Sequence, residues 1–196
     1  VADMLATASD LASLVQADVD TASATLAIEI GTAVVQAAAD GQRILQVVGD
    51  TATAVGTTER FLRPPQWPVT AVSAVTLDGV ALTAGSAGSG GSTYRLVGDR
   101  LYRGCGWQTY CGEPSEVVFT YTHGYAAGDQ RLQLGRGAAL SLGRGLFVNA
   151  SGVIREQIDD YAVAYAEAQA ALDASPALKA AIRKTYGPKA RMVRAF

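Results

Sequence analysis

Residues 117–132 read VVFTYTHGYAAGDQRL, and the stretch changes character half-way. Val117 to Thr122 is a run of β-branched and aromatic residues, which predicts a strand. Gly124 and Gly128 then supply backbone freedom at a turn. Asp129 is placed to cap a helix that Gln130 opens. Everything before this stretch, back to Arg43, has the texture of β-structure. Everything after it, to Asn149, has helical spacing. The stretch is therefore read as a joint between a β part and an α part, with Tyr121, Gly124, Tyr125 and Asp129 setting its geometry.

Working back from the joint, Tyr94–Val97 and Leu101–Arg103 flank Gly98–Asp99 as a hairpin. The segment 85–92, GSAGSGGS, reads as a flexible loop tip. Val69–Leu77 alternates and closes on Asp78–Gly79. Three prolines within residues 63–68, RPPQWP, bar a central strand there. Ile44–Val48 and Thr51–Val55 are expected to be two short strands turning about Gly49–Asp50. Earlier still, Asp18 or Asp20 caps a helix running to about Ala39. Its expected buried face is Leu26, Ile30, Val34 and Ala37, widened by Ile28 and Val35. Gly31 costs that helix about 1 kcal/mol against alanine, which suits a close helix approach. A short first helix lies within residues 1–17, with Ser9 as its expected cap and Leu11, Leu14 and Val15 on one side.

Forward of the joint, Leu132, Arg136, Ala139, Leu140, Gly143 and Phe147 keep helical spacing. Gly135, Gly137, Gly143 and Gly145 weaken this central helix by about 3–4 kcal/mol in propensity. Gly135, Ala139 and Gly143 form a small-residue ridge at steps of four, so close packing, within the chain or between subunits, must offset that loss. Asn149–Gly152 breaks the helix, and Ile154–Ile158 fits one helical turn. Tyr161–Ala166 alternates between large residues and alanine, which fits either a strand or an Ala-rich helix, and the preferred reading is extended chain leading into a short helical piece. Ser175–Pro176 starts a last helix with Leu178, Ile182 and Tyr186 on one face. Gly187–Pro188 stops it. The whole reads as α+β: a small helical bundle with an antiparallel β-rich insertion between helix 2 and the central helix, and an extended basic C-terminal tail. Its parts are N-terminal helices over 1–42, the insertion over 43–122, the central helix and trailing segment over 123–174, and a C-terminal helix and tail over 175–196.

The chain has 196 residues, 49% hydrophobic and 17% charged, with a net charge of −2. No apolar run of membrane-spanning length is evident, and the start lacks the basic and bulky apolar signature of a signal peptide, so synthesis in the cytoplasm and no membrane partner are expected. Charge is unevenly placed. Residues 1–40 hold Asp3, Asp10, Asp18, Asp20, Glu29 and Asp40 and no Lys or Arg, whereas 175–196 hold Lys179, Arg183, Lys184, Lys189, Arg191 and Arg194 and no acid. A basic end of this kind suits nucleic acid, an acidic protein groove, the acidic end of a neighbouring subunit, or plain solvation.

Chemistry-bearing constellations are sparse. Cys105 and Cys111, in CGWQTYC, with His123 and Glu113 or Glu116, have the ligand types of a zinc site but not its usual spacing. Both cysteines read as partly buried loop or strand residues. His123, the sole histidine, sits beside tyrosines and reads as a hydrogen-bonded structural residue rather than a general base. Asp159, Asp160 and Glu167 form no catalytic motif with a second group, and a solvated face or intersubunit salt bridges suffice as their reading. Trp67, Trp107 and the tyrosines could stack on bases, but few cations accompany them, so packing of the β part is the simpler use. No nucleophile elbow, zincin, P-loop or dinucleotide motif is present. No enzyme activity and no cofactor are expected.

Four segments together resemble the head–tail connector (adaptor, or head-completion) proteins of siphovirus-like phages, in the version carried by phages of actinobacteria. They are FTYTHGYAAGDQ at 119–130, AALSLGRGLFVNASGVIREQIDDYAVAYAE at 138–167, DLASLVQADVD at 10–20 and LRPPQWPVTAVSAVTLDG at 62–79. Asn149–Ala150 stands where family members often have Asn-Pro, and the four glycines of the central helix stand where they usually have alanine. The resemblance implies a homo-oligomeric ring, commonly of twelve copies, beneath the portal in the virion. Such a ring extends the channel through which packaged double-stranded DNA passes without sequence-specific contact. It also presents a platform to the next stopper or head-completion protein. By the same resemblance the C-terminal segment docks on the portal. Its residues here are Lys179, Arg183, Lys184, Tyr186, Lys189, Arg191, Met192, Arg194 and Phe196. The acids Asp10, Asp18, Asp20 and Glu29 would line the channel or pair with the adjacent protomer. The alternative is a DNA-binding accessory protein that uses the basic tail.

Overall fold

The computed structural model describes residues 4–85, 91–109, 113–148 and 161–188. The chain divides into two compact units, one made of Val1–Leu45 with Ala126–Phe196 and the other of Gln46–Tyr125. Among the described residues the first is a bundle of five helices, and the second is a curled, mostly antiparallel seven-stranded sheet inserted between the early and later helices.

In the helical unit, α1 (Ala8–Val15) is capped by Thr7 and not by Ser9. Thr7 Oγ1 accepts from Asp10 N while Asp10 Oδ2 accepts from Thr7 N, so both orphan donors at the helix start are satisfied. Ser9 lies inside the helix, where its carbonyl accepts from Ser13 Oγ. α2 (Thr21–Ala38) is capped by Asp20, which accepts from Ser23 N, and it ends where Asp40 and Gly41 both take positive φ. By length and composition alone α2 could cross a membrane, but 56% of it is buried within the chain, as in a core helix. Ile28, Ile30, Val34 and Val35 of the expected face are buried, and Ala24, Ala27, Gly31 and Ala38 join them, whereas Leu26 is half-buried and Ala37 is exposed. The small residues on that face let α3 (Leu132–Phe147) come close.

α4 (Tyr161–Asp173) corrects the expectation of extended chain over 161–166. The alternation of Tyr161, Val163 and Tyr165 is a surface pattern. The buried set is Ala164, Ala168 and Leu172 at steps of four, and the two tyrosine rings stack on the outside with centroids 6.3 Å apart. α5 (Pro176–Tyr186) begins with proline at its first position, as read, although Ser175 makes no side-chain cap bond. The expected break at 149–152, the turn at 154–158 and the tail at 189–196 lie outside the described residues.

In the β unit the strands are β1 (Val47–Gly56), β2 (Phe61–Leu62), β3 (Val69–Leu77), β4 (Val80–Ala84), β5 (Thr93–Val97), β6 (Arg100–Tyr102) and β7 (Ser115–His123). Their order across the sheet is β1-β7-β3-β4-β5-β6-β2. All neighbours are antiparallel except β4 and β5. β7, the strand of the opening stretch, lies between β1 and β3, and its odd-numbered residues Ser115 to His123 are all buried. Val117, Phe119 and Tyr121 join Trp107, Leu101, Val75 and Leu77 in one core. The two short strands expected about Gly49–Asp50 are instead the single strand β1. Gly49, at φ +73°, makes a bulge between Val47 and Asp50 in the pairing with β7. The flexible loop expected at 85–92 falls largely on residues 86–90, outside the described ones.

Candidate functional site

At the joint, β7 runs on to His123, whose buried ring places Nε2 3.0 Å from Asp50 Oδ2. Gly124 follows at φ +83° and donates to Pro68 O at 3.0 Å, a bend that a side chain would strain. Tyr125 is buried, and its carbonyl accepts from Gln46 N at 2.9 Å, so the two ends of the inserted unit are hydrogen-bonded to each other. Asp129 does not cap the helix at Gln130. It closes a turn with Ala126 and then accepts from Arg131 N and from the Arg131 guanidinium at 2.6–3.0 Å, and α3 starts only at Leu132. The Arg131 guanidinium and backbone N–H hold the Asp129 carboxyl below the usual carboxylate range.

The small-residue ridge of α3 packs inside the helical unit. A Cβ on Gly31 of α2 would lie 2.6 Å from Ala139 O, and one on Gly143 would lie 3.3 Å from Ile28 Cδ1. Gly135 faces the Tyr186 hydroxyl, which accepts from Gly135 N at 2.9 Å and donates to Arg131 O. That hydroxyl is inserted between the helical donor of Gly135 and the carbonyl four residues back that it would otherwise use. Tyr186→Phe is therefore expected to lower stability by about 1–2 kcal/mol, read as a shifted urea midpoint with unchanged slope. An unshifted midpoint would mean that α3 closes its own bond without cost. Between α3, α4 and α5 lies a pocket of about 150 Å³, lined mainly by aliphatic side chains such as Leu142, Leu146 and Leu172, with Glu167 its one titratable group.

Tyr186 is thus buried among the helices, which removes its ring from the surface offered to a docking partner. Of the other expected docking residues, Lys179 pairs with Asp173 at 2.6 Å and Arg183 with Asp40 at 3.2 Å, while Lys184 is exposed. Lys189, Arg191, Met192, Arg194 and Phe196 lie outside the described residues. Among the acids, Asp10 is occupied by the Thr7 capping box and by Arg136 Nη2 at 2.6 Å; the Thr7 backbone bond is the largest of the causes that lower its pKa. Asp20 is lowered by the Ser23 N–H it caps. Asp18 is exposed and Glu29 is half-buried.

Cys105 is exposed, whereas the reading of the sequence had it partly buried, and Cys111 lies outside the described residues. Among the described residues no three His, Cys, Asp or Glu side chains are grouped to hold a metal. The reading that aromatics have few cations beside them needs correction at one place. On the outer face of β5, β6 and β2, Arg95 stands opposite Tyr102, and Tyr102 opposite Phe61. The Arg95 guanidinium lies 4.8 Å from the Tyr102 ring centroid, that of Arg100 lies 5.4 Å from Phe61, and the two rings meet at 5.1 Å. The hairpin about Gly98–Asp99 carried half of this signal, since its register alone puts Arg95 across from Tyr102. The other half needed the pairing of β2 with β6, some 40 residues apart, which no local pattern announces.

No model of a known protein family matches the chain, and no curated protein matches it either.

Proposed function

We propose that this chain is a structural head-to-tail connector. Copies of it would form a ring beneath a phage portal, extend the DNA channel and offer a platform to the next neck or stopper protein. The observation that carries the proposal is the order of the parts. An acidic helical start, a β-rich insertion after the second helix, a central helix rich in small residues and a basic last helix occur in the sequence order of the connector resemblance. The inserted sheet between early and later helices fits that order. In this reading the work is assembly and docking, with no catalytic step and no cofactor, and the protein resides in the virion at the head–tail interface.

Support for the docking polarity comes from charge. The first forty residues carry acids alone, and α5 with the segment after it carries cations alone from Lys179 onward. The test is electron microscopy of the full chain mixed with its portal protein. Ring-shaped density capping the portal is the expected result. A monomer that leaves the portal bare at every concentration and ionic strength overturns the proposal. Salt-dependent binding to duplex DNA without any ring would point instead to the accessory DNA-binding role.

A further inference from the structure

The outer face of β5, β6 and β2 packs its own rings and arginines together and leaves part of them exposed. Leu96, Leu101 and Leu62 occupy one cross-strand row and turn towards the core, with Leu101 and Leu62 buried. The residues on either side of that row, Arg95, Val97, Arg100, Tyr102 and Phe61, turn outward. Phe61 is 39% exposed and Val97 38%, so apolar surface lies open beside the two arginines. Each guanidinium rests over a ring, and this arrangement orders a side chain that would otherwise sample many rotamers. It also decides what the face can recognise. With guanidinium over them, the rings are poor platforms for stacking bases. What remains on offer is the N–H edge of each arginine, which matches the two oxygens of a carboxylate or phosphate.

A phosphate polymer is the weaker fit. Just two arginines of this face are seated over rings, and one of them, Arg100, has the Asp99 carboxylate 3.7 Å away. Arginine and aromatic residues around exposed aliphatic surface are instead the composition of a protein interface. The chain itself contains a complementary surface. At the corner between α1 and α2, Leu14 is 42% exposed, and Asp18 and Asp20 are both exposed. The Ser23 N–H that Asp20 caps lowers its pKa below the ordinary carboxylate value. Asp10 is already paired with Arg136, so Asp18 and Asp20 are the acids that this corner presents.

We propose that the Arg95–Tyr102–Phe61–Arg100 face docks a second copy of this chain through the Leu14–Asp20 corner of that copy. The contact rests on the connector reading to the extent that it supplies a neighbour-to-neighbour joint for the ring. Face and corner are different surfaces, so the contact can repeat head-to-tail from copy to copy and builds a ring where the rotation between copies closes.

The experiment is sedimentation velocity on the full chain over a concentration series at low and high salt. Arg95→Glu/Arg100→Glu is expected to weaken self-association by about tenfold or more, with an unchanged far-ultraviolet spectrum, because both side chains are outside the core. Adding Asp18→Lys to that variant is expected to restore part of the loss, whereas Asp18→Lys alone weakens association. Arg95→Gln/Arg100→Gln, which removes charge without reversing it, should fall between. Unchanged association in the Arg→Glu variant overturns this contact and leaves the ring reading standing on some other one. Weakening without rescue by Asp18→Lys overturns the acidic corner as the occupant. A wild-type chain that stays monomeric throughout, with and without portal, overturns the contact and the connector reading together. Loss of duplex DNA binding in the Arg→Glu variant, with self-association intact, assigns the face to nucleic acid instead.

Discussion

Gly31→Ala is expected to destabilise the chain by about 2 kcal/mol, although alanine is the better helix former by about 1 kcal/mol. The added methyl would sit 2.6 Å from the Ala139 carbonyl oxygen and 3.3 Å from its carbonyl carbon. Both are backbone atoms inside α3, so no rotamer change relieves the overlap. α2 and α3 must move apart, and the neighbouring contacts of the same helix pair, Ala27 and Ile28 against Gly143, loosen with them. The same substitution at Gly137 has the opposite sign. Gly137 is exposed, and a Cβ there meets nothing within 4 Å, so Gly137→Ala is expected to stabilise by about 0.5–1 kcal/mol through propensity alone. Urea denaturation followed at 222 nm checks the pair. Two glycine-to-alanine changes of like sign would refute the close approach of these helices at Gly31.

This contrast also shows which parts of the chain its residues disclosed. Gly31 was legible because a lone glycine in an apolar helix has few uses other than close packing. The spacing of four separated the glycines of α3 correctly, setting Gly135 and Gly143 on the packing ridge and leaving Gly137 and Gly145 off it. Gly135 and Gly143 face neighbours across the bundle while Gly137 and Gly145 face open space, although propensity weighs all four alike. β7 was legible because its alternation is unbroken, with the odd residues inside from Ser115 to His123. β1 was misread because a glycine beside an aspartate serves a turn or a bulge equally well, and the pairing of β1 with β7 made Gly49 a bulge. α4 was misread because alanine gives little hydrophobic contrast, so the period-two pattern of Tyr161, Val163 and Tyr165 outweighed the buried period-four set. The arginine–aromatic face was out of reach for a third reason. It is assembled by β2, a two-residue strand whose partner lies far along the chain. The expected docking residues rested on the resemblance and on the positive charge of the C-terminal segment, and neither discloses the ion pairs of Lys179 and Arg183 or the burial of Tyr186.

Trp107→Ala is expected to cost about 3–5 kcal/mol, the largest effect of any single change considered. Trp107 is fully buried in the core that also holds Leu62, Leu101 and Phe119. It lies just after a tight turn in which Gly106, at φ +76°, donates to Arg103 O. Its backbone N donates to Thr57 O at 2.7 Å, and its indole Nε1 donates to Arg60 O at 3.1 Å. Its own carbonyl presses on Gly56, where a Cβ would stand 1.8 Å away. The indole therefore holds the segment that leads from β1 into β2, and β2 has two paired residues with which to hold itself on the sheet edge. Loss of the ring leaves a cavity and removes one hydrogen bond from the Arg60 carbonyl, whose remaining one comes from Arg103 N at 2.9 Å. Hydrogen exchange is expected to show Phe61, Leu62, Leu101 and Tyr102 losing protection before β7 does, because β7 is paired on both sides. Trp107→Phe separates the two contributions. It keeps most of the buried ring and loses the Arg60 bond, so a cost nearer 1–2 kcal/mol is expected. If β2 and β6 detach, Phe61 and Tyr102 no longer carry their arginines, and the alanine variant should lose self-association at temperatures where β7 is still protected. Retained association in that state would show that the outer face of β5, β6 and β2 is not where copies meet.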